Sequence, residues 1–448
     1  MARFLVLLLY NLLQPLMLLA MAPKAWRKMK ARGGKAADLD QRFGFFNAGQ
    51  EDLLRNLRAK GDVWWIHAVS VGEAGIAMKL IRELRKRRPD LGFVVTTTTP
   101  TGLAQLDGFA AKCEGKVMPM YSALDGWFVV RRFLNLIKPT QLVLVEAEVW
   151  PNLVQACYMR GIPVSLVNAR LSPRSERRFR KFRYMVEPVY KLLSHVGVQE
   201  AEDPQRFASA LGIRPECIVH TGSIKFDTAG DKEPVEQVSA FRALLSQIGV
   251  SADRPVLLAA STHPGEELEL GKVYQGLRKS VPGVYYIVVP RHAERGPEIA
   301  KELSGLGLNV RLRSALAVAE GDSAQASSTD VLVVDSTGEL RAWQYLASVV
   351  VIGKSFLGIG GQNPAEAIVA GKPVVFGQHM ENFSALKGLL LQHEGALEVA
   401  DFSVAEAELR SLMQSPEKAQ RLALEGRKAL LPHVGATART ASLLLGEN

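Results

Sequence analysis

The sequence predicts an α/β protein made of two doubly wound domains preceded by an apolar helix, on three observations. Its 448 residues amount to about three typical domain lengths. From about residue 62, short apolar runs alternate with helix-length amphipathic segments, the pattern of βαβ units and a parallel sheet. Hydrophobic residues make up 48% of the chain and charged residues 22%, enough to build large cores and incompatible with a disordered or low-complexity chain.

The first element is the apolar helix. Phe4 to Met21 carry no charge and as a helix reach about 27 Å, the thickness of a bilayer core. Asn11, Gln14 and Pro15 interrupt the run, so a spanning helix and a kinked or interfacial one are both open. A cleavable signal peptide is the rival, because Arg3 opens the segment and Ala20-Met21-Ala22 has the small-x-small form of a cleavage site. Against it, Lys24, Arg27, Lys28, Lys30, Arg32 and Lys35 precede the first acid at Asp38, and such a cluster stays on the cytoplasmic side. The expectation is a retained anchor and basic flank over residues 1–40, with Trp26 at headgroup level and the basic cluster on anionic lipid.

The first domain, residues 41–221, holds six apolar runs: Val63 to Ala68, Phe93 to Thr97, Lys116 to Met118, Leu142 to Val145, Val164 to Val167 and Val196 to Gln199. Residues 222–235, with Gly222, Gly230 and Pro234 among polar neighbours, read as a connector. The second domain, 236–448, holds five more: Val256 to Ala260, Tyr285 to Val289, Val331 to Val334, Val349 to Ile352 and Pro373 to Phe376. Ala317 to Thr329 reads as a surface loop. Two such domains leave a cleft, and ligands of doubly wound sheets sit outside the carboxyl ends of the strands.

Polar clusters fall at those ends. Glu73 closes a Ser70-Val-Gly72-Glu turn and opens a helix, where the positive helix end holds a carboxylate; it is either a proton acceptor or a plain complement to the helix dipole. Glu146 and Glu148 follow a strand, and by alternation point the same way, fit to orient hydroxyls or take a proton unless arginines pair them. Arg170 opens a basic segment with Arg174, Arg177, Arg178, Arg180, Lys181 and Arg183, either a solvated helix face or a contact for phosphorylated lipid. Asn363-Pro-Ala-Glu366, after Gly358, Gly360 and Gly361, has the form of a capped helix start behind a glycine loop where backbone approaches a phosphate and Glu366 grips ribose, although the same loop forms without a ligand. Arg291 and His292 follow a strand as phosphate partners or as solvent-facing loop residues.

The net charge of +10 favours anionic partners. Nucleic acid is set aside, because the basic residues are not interleaved with aromatics and no recognition motif appears. Neither GxGxxG nor a P-loop is present. Cys113, Cys157 and Cys217 form no CxxC pair, and the 8 histidines form no HxH or HExxH pattern, so neither a disulfide framework nor a metal site is expected.

In order along the chain, His67-Ala-Val-Ser-Val-Gly-Glu73, Thr97-Thr-Thr-Pro-Thr-Gly102, Glu146-Ala-Glu-Val-Trp-Pro-Asn152, Asn168-Ala-Arg-Leu-Ser172, Thr221-Gly-Ser-Ile-Lys-Phe-Asp227, Ser261-Thr-His263, Pro290-Arg-His292, Gly338-Glu-Leu340 and Asn363-Pro-Ala-Glu366 resemble the 3-deoxy-D-manno-octulosonic acid (Kdo) transferases of lipopolysaccharide assembly. The resemblance runs from the anchor to about Phe383. It implies a GT-B glycosyltransferase that moves Kdo from CMP-Kdo to a lipid A precursor, with inversion, at the cytoplasmic face of the inner membrane. CMP-Kdo is then a substrate, and no cofactor is implied. Carried onto these positions, Glu73 is the general base, Glu146 or Glu148 assists, and Arg170 and Lys225 face phosphate or carboxylate. Ser70, Gly72 and Thr98 are further substrate-binding candidates. Arg291, His292, Gly338, Glu339, Leu340, Asn363 and Glu366 hold CMP, with Ser261 and Thr262 at its phosphate. The chain departs from the family pattern at Gln362, where a histidine is usual, at Ala367, where a proline often stands, and at Lys354-Ser355, where Gly-Ser is common. Rival readings are another GT-B transferase or an epimerase using a UDP-sugar, and a non-catalytic membrane-tethered protein that binds anionic lipid.

Overall fold

The computed structural model describes residues 2–31, 38–146, 148–227, 233–316 and 329–447. The chain divides into two compact units, one of Met1–Asp227 with His433–Asn448 and the other of Thr228–Pro432. The segment from His433, which the sequence reading gave to the second domain, therefore belongs to the first. Arg32, Lys35, residues 228–232 of the connector and nearly all of the 317–329 loop lie outside the described residues, as do the side chains of Lys24, Trp26, Lys28 and Lys30.

In the first unit, β1 (Val63–His67), β2 (Gly92–Thr97), β3 (Val117–Tyr121), β4 (Gln141–Val145), β5 (Val164–Ala169), β6 (His195–Val198) and β7 (Ile218–His220) form one sheet in the order β3-β2-β1-β4-β5-β6-β7. Every pairing is parallel. Strands buried on both faces read as continuous apolar runs, and alternate residues of β1 feed two different cores. Trp65 stacks on Phe133, ring centroids 5.7 Å apart, on one face, while Trp64 meets Phe93 edge-on at 6.4 Å on the other. The strand order reverses between β1 and β4, so this is the switch point where such sheets open a crevice at their carboxyl edge.

In the second unit, β8 (Val256–Thr262), β9 (Tyr285–Pro290), β10 (Val310–Leu312), β11 (Val331–Val333), β12 (Val349–Ile352), β13 (Val374–Phe376) and β14 (Leu397–Glu398) run β10-β11-β9-β8-β12-β13-β14, again all parallel, with the switch point between β8 and β12. The sequence reading found the central strands and missed β7, β10 and β14. Each is an edge strand of two or three residues that keeps a solvent-facing side, so no apolar run marks it.

The N-terminal helix Ala2–Ala31 runs through Pro15 without a break. Among the described residues no helix is long and apolar enough to cross a membrane. The polar residues that interrupt the apolar run face the body of the unit. Tyr10 donates to Asp125 Oδ2 at 3.0 Å, and Asn11 and Asn152 exchange side-chain hydrogen bonds of 2.9 Å. The buried Asp125 carboxylate also accepts from the Asn152 and Leu153 backbone N–H groups at 3.0 and 2.8 Å, capping the helix Pro151–Tyr158. Burial pushes its carboxyl up to about 7 against those donors. Phe4, Leu5, Leu8, Leu9, Leu12, Leu13 and Leu16 turn outward, 45–70% exposed, in a stripe of helical period.

The returning segment is fastened to the first unit by Asp227. Its carboxylate accepts from the backbone N–H groups of Gly435 at 2.8 Å and Thr437 at 2.7 Å, which open the helix Ala436–Leu445. Ala441 and Leu444 of that helix join the core beside Trp64. Asp227→Ala is expected to cost this unit about 1–2 kcal/mol. The loss would appear as faster amide exchange in residues 436–445 with exchange in β8 to β14 unchanged; an unaltered rate in the last helix would contradict the assignment.

Candidate active site

At the carboxyl edge of β1, Ser70 caps the helix Val71–Arg87. Its Oγ accepts from the Glu73 N–H at 3.3 Å and donates to Glu73 Oε1 at 2.9 Å, while Glu73 Oε2 accepts from the Val69 N–H at 2.8 Å. This is a variant of the capping box, in which the third helical residue reaches back to the entering backbone. Both oxygens of Glu73 are therefore held in place, and the side chain is half-buried. Burial pushes its carboxyl above the ordinary glutamate range, the Val69 and Ser70 hydrogen bonds pull it back, and the charges of Glu146 and Glu148 push it up again. A Cβ at the exposed Gly72 would meet only Ser70 Oγ, at 3.8 Å, so the space over this turn is open.

Thr98 supports the turn. Its hydroxyl donates to the Val69 carbonyl at 2.9 Å, and the Thr97 hydroxyl donates to the same oxygen at 3.1 Å. Beneath, Thr96 Oγ1 accepts from Trp65 Nε1 at 2.8 Å and shares a hydrogen bond of 2.9 Å with His67 Nδ1. Burial holds the His67 imidazole down at about 4, neutral at physiological pH.

Glu146 and Glu148 do not owe their orientation to strand alternation. The strand β4 ends at Val145, and Glu146 takes a left-handed backbone, φ 65°. Both nevertheless act on the Glu73 carboxyl. Burial raises the proton affinity of each. In Glu146 the charges of Lys225 and Arg170 and the Asn168 amide oppose it, and in Glu148 the Trp150 indole does. Arg170 and Lys225 are exposed, Lys225 on the 3-10 turn Ile224–Phe226. Glu73, Glu146, Glu148, Arg170 and Lys225 thus come from four separate segments to one edge of the first sheet, an acidic group flanked by cations that can take a proton from a hydroxyl and hold a neighbouring anion. The arginine segment forms the helix Pro173–Lys181 under a Ser172 cap. Glu176 pairs with Arg180 and Arg206, while Arg174 and Arg177 are exposed and have no carboxylate partner among the described residues.

At the carboxyl edge of β8, Ser261 is left-handed, φ 57°. Thr262 is buried, and its hydroxyl donates to Glu267 Oε1 at 2.9 Å, an oxygen that also accepts from Arg295 at 2.7 Å. Glu266 binds the loop after β8 to the loop after β12 by accepting from the backbone N–H groups of His263 (3.1 Å), Lys354 (2.6 Å) and Phe356 (3.1 Å). Glu266 and Glu267, the first residues of the helix Glu266–Arg278, thus spend their carboxylates on bracing the loops around it. Arg291 and His292 are exposed, the His292 ring 6.2 Å from that of His263, and Gln362 Nε2 lies 3.2 Å from His263 Nε2. Glu339 is committed to Trp343 Nε1 at 3.2 Å and Arg313 at 3.3 Å, which leaves the backbone of Gly338 to Leu340 at that turn. The helix beyond the glycine loop is Ala365–Val369, one residue later than the sequence pattern implies, so Pro364 and not Asn363 stands at its cap position, and the exposed Asn363 Oδ1 accepts from the Ala365 N–H at 3.1 Å in the turn before it. Glu366 sits half-buried in its first turn. Gly360, φ 116°, is packed so that a Cβ would lie 2.4 Å from Asn382 Nδ2. Among the described residues no group of three or more His, Cys, Asp or Glu is placed to hold a metal ion.

Sequence reasoning quoted Asn168 within a motif but gave it no role; it is buried, left-handed and bonded to Glu146. Its place at a strand end two residues before Arg170, in a residue type that tolerates positive φ, is the signal that marks it.

Two doubly wound parallel sheets, one of them carrying a held acidic cluster at its switch point, define a two-unit α/β enzyme. The sequence profile of 3-deoxy-D-manno-octulosonic-acid transferase (kdotransferase) matches residues 37–228. The 3-deoxy-D-manno-octulosonic acid transferase of Haemophilus influenzae is 33% identical over 381 residues, 85% of this chain and 86% of its own, and that of Bordetella pertussis 32% identical over 434 residues, 96% and 97%. Among solved structures, the C-terminal CMP-Kdo binding domain of WaaA from Acinetobacter baumannii is 29% identical, spans 44% of this chain and 98% of that domain, and superposes with a TM-score of 0.39. The chain belongs to the 3-deoxy-D-manno-octulosonic acid transferase family and is a glycosyltransferase.

Because the charges of Glu146 and Glu148 help to raise the Glu73 carboxyl, Glu148→Gln is expected to lower the pH at which Glu73 loses its proton and to move the acid limb of the activity profile the same way. A pH profile of kcat/KM that stays in place would show that Glu148 does not act on Glu73.

Proposed function

We propose that the protein transfers Kdo from CMP-Kdo to a lipid A precursor in lipopolysaccharide core assembly, as a GT-B transferase that inverts the anomeric carbon. The observation that carries this reading is Glu73, a half-buried carboxylate with both oxygens held and its proton affinity raised, beneath an open glycine turn in a chain of this family. An acceptor hydroxyl oxygen bonds to the anomeric carbon of Kdo while the bond from that carbon to the CMP phosphate oxygen breaks. The hydroxyl proton passes to Glu73, and CMP leaves with the bonding pair. Glu146 and Glu148 keep Glu73 basic, and Arg170 and Lys225 face the anionic substrate groups. In the second unit Arg291, His292, the Gly338–Leu340 backbone, Asn363 and Glu366 are assigned to CMP, with cations and backbone amides taking up the charge of the departing phosphate. Ser261 is retained there through its backbone, and Thr262 as a support for Glu267.

Purified full-length protein given CMP-Kdo and a tetraacylated lipid A precursor is expected to yield the Kdo-bearing product by mass spectrometry, with CMP inhibiting and UDP not. Glu73→Ala should lower turnover by about 10²–10⁴-fold while leaving CMP binding intact. No mass increase, or equal inhibition by UDP, would overturn the reading.

The same reading places the protein on the cytoplasmic face of the inner membrane through the N-terminal helix lying in the interface. Its polar side is bonded to the body, its leucine stripe faces out, and the exposed Arg174 and Arg177 supply charge for anionic headgroups. Leu8→Glu with Leu12→Glu is expected to abolish sedimentation with phosphatidylglycerol vesicles and leave the circular dichroism spectrum unchanged; undiminished binding would remove the helix from this role.

A further inference from the structure

Asn168 is completely buried near the end of β5, with its backbone in the left-handed region at φ 54°. Three of its polar groups serve three different segments. Its Oδ1 accepts from the Ile224 N–H at 2.8 Å, its Nδ2 donates to Glu146 Oε1 at 3.4 Å, and its carbonyl accepts from Gln199 Nε2 at 2.7 Å. Glu146, at the end of the neighbouring strand β4, is itself left-handed at φ 65°, and its N–H donates to the Val167 carbonyl at 2.9 Å. Left-handed backbone at a residue other than glycine costs on the order of 1 kcal/mol or more, and asparagine tolerates it best. Here two such residues close adjacent strands and are joined side chain to side chain. The primary amide offers a donor to the carboxylate and an acceptor to the backbone N–H from one planar, uncharged group.

We infer that Asn168 is the positioning residue of the acidic edge, locking the Glu146 carboxylate against the Ile224–Phe226 turn that carries Lys225. The link keeps a cation beside Glu146 and gives that carboxylate a fixed donor, so it governs how readily Glu146 ionises. Lys225 on the turn, Arg170 beyond β5 and the Asn168 amide favour its charged form. Burial opposes it, as does the like charge of Glu73 on the helix Val71–Arg87, and Glu148 stands two residues along the same segment. The kinetic part of the inference rests on the reading of Glu146 as a member of the reaction site; the titration part does not.

Asn168→Asp keeps the size of the side chain, its tolerance of positive φ and the acceptor for Ile224, and exchanges the donor facing Glu146 for a like charge. In the full-length chain, the Glu146 carboxyl followed by NMR is expected to titrate about one pH unit higher. At pH values near the shifted midpoint kcat for Kdo transfer should fall, with KM for CMP-Kdo changed less than about 2-fold, the split expected when the loss falls on the reaction and not on ground-state binding. Asn168→Gly, which fits the left-handed backbone and removes both side-chain bonds, should move the titration in the same direction, and it serves in place of the aspartate variant if that one fails to fold. A Glu146 midpoint that stays in place overturns the inference, whatever the transfer assay gives. A midpoint that moves while Glu146→Gln still transfers at the wild-type rate upholds the positioning and removes Glu146 from the reaction instead.

Discussion

Every strand of both sheets runs parallel to its neighbours, and this constraint shapes the rest of the molecule. In a parallel sheet the chain leaves each strand at the same edge, so residues far apart in sequence are delivered to one line of loops, while the opposite edge receives only returns from helices. The groups gathered at the β1, β4 and β5 exits are charged, and charges at the margin of a buried sheet persist only where donors and counter-charges hold them. The Ser70 and Val69 donors to Glu73, the Asn168 bridge to Glu146 and the nearby Lys225 and Arg170 answer that requirement. Stability and chemistry draw on the same contacts here.

The two sheet edges meet the requirement in opposite ways. In the first unit, carboxylates remain half-buried, with their proton affinity raised and open space above the glycine turn. In the second, Glu266 and Glu267 are fully buried and spent on backbone N–H groups, Thr262 and Arg295, and they act as braces for the loops after β8 and β12. What those braces leave outward is Arg291, His292 and Asn363. Lys354 belongs to this frame too. It sits at φ 57°, a conformation natural to glycine, with its N–H bonded to Glu266, so the chain sustains a side chain at a strained position by anchoring its backbone.

The central strands were legible in the sequence because burial on both faces writes them as unbroken apolar runs such as Val143-Leu144-Val145 and Val349-Val350-Val351. The edge strand Val310-Arg-Leu312 leaves no such mark, because one side of it stays in solvent. The place of Glu73 at a helix start was legible because a Ser-Val-Gly-Glu turn directly after an apolar run opens a helix. Thr98, Thr262 and Glu339 looked equally suitable for a ligand, and only their partners, the Val69 carbonyl, Glu267, and Trp343 with Arg313, show that the protein uses their side chains internally. Such pairings join positions whose separation in sequence carries no pattern. The return of residues 433–448 to the first unit was hidden for the same reason, since an amphipathic helix does not announce which core it completes.

That return has a bearing on how the protein is made. The Asp227 clamp and the core places of Ala441 and Leu444 are filled by residues translated after the whole second unit. On the ribosome the second unit can therefore finish folding while the first still waits for its closing helix. During that interval the β1 core beside Trp64 is left partly uncovered.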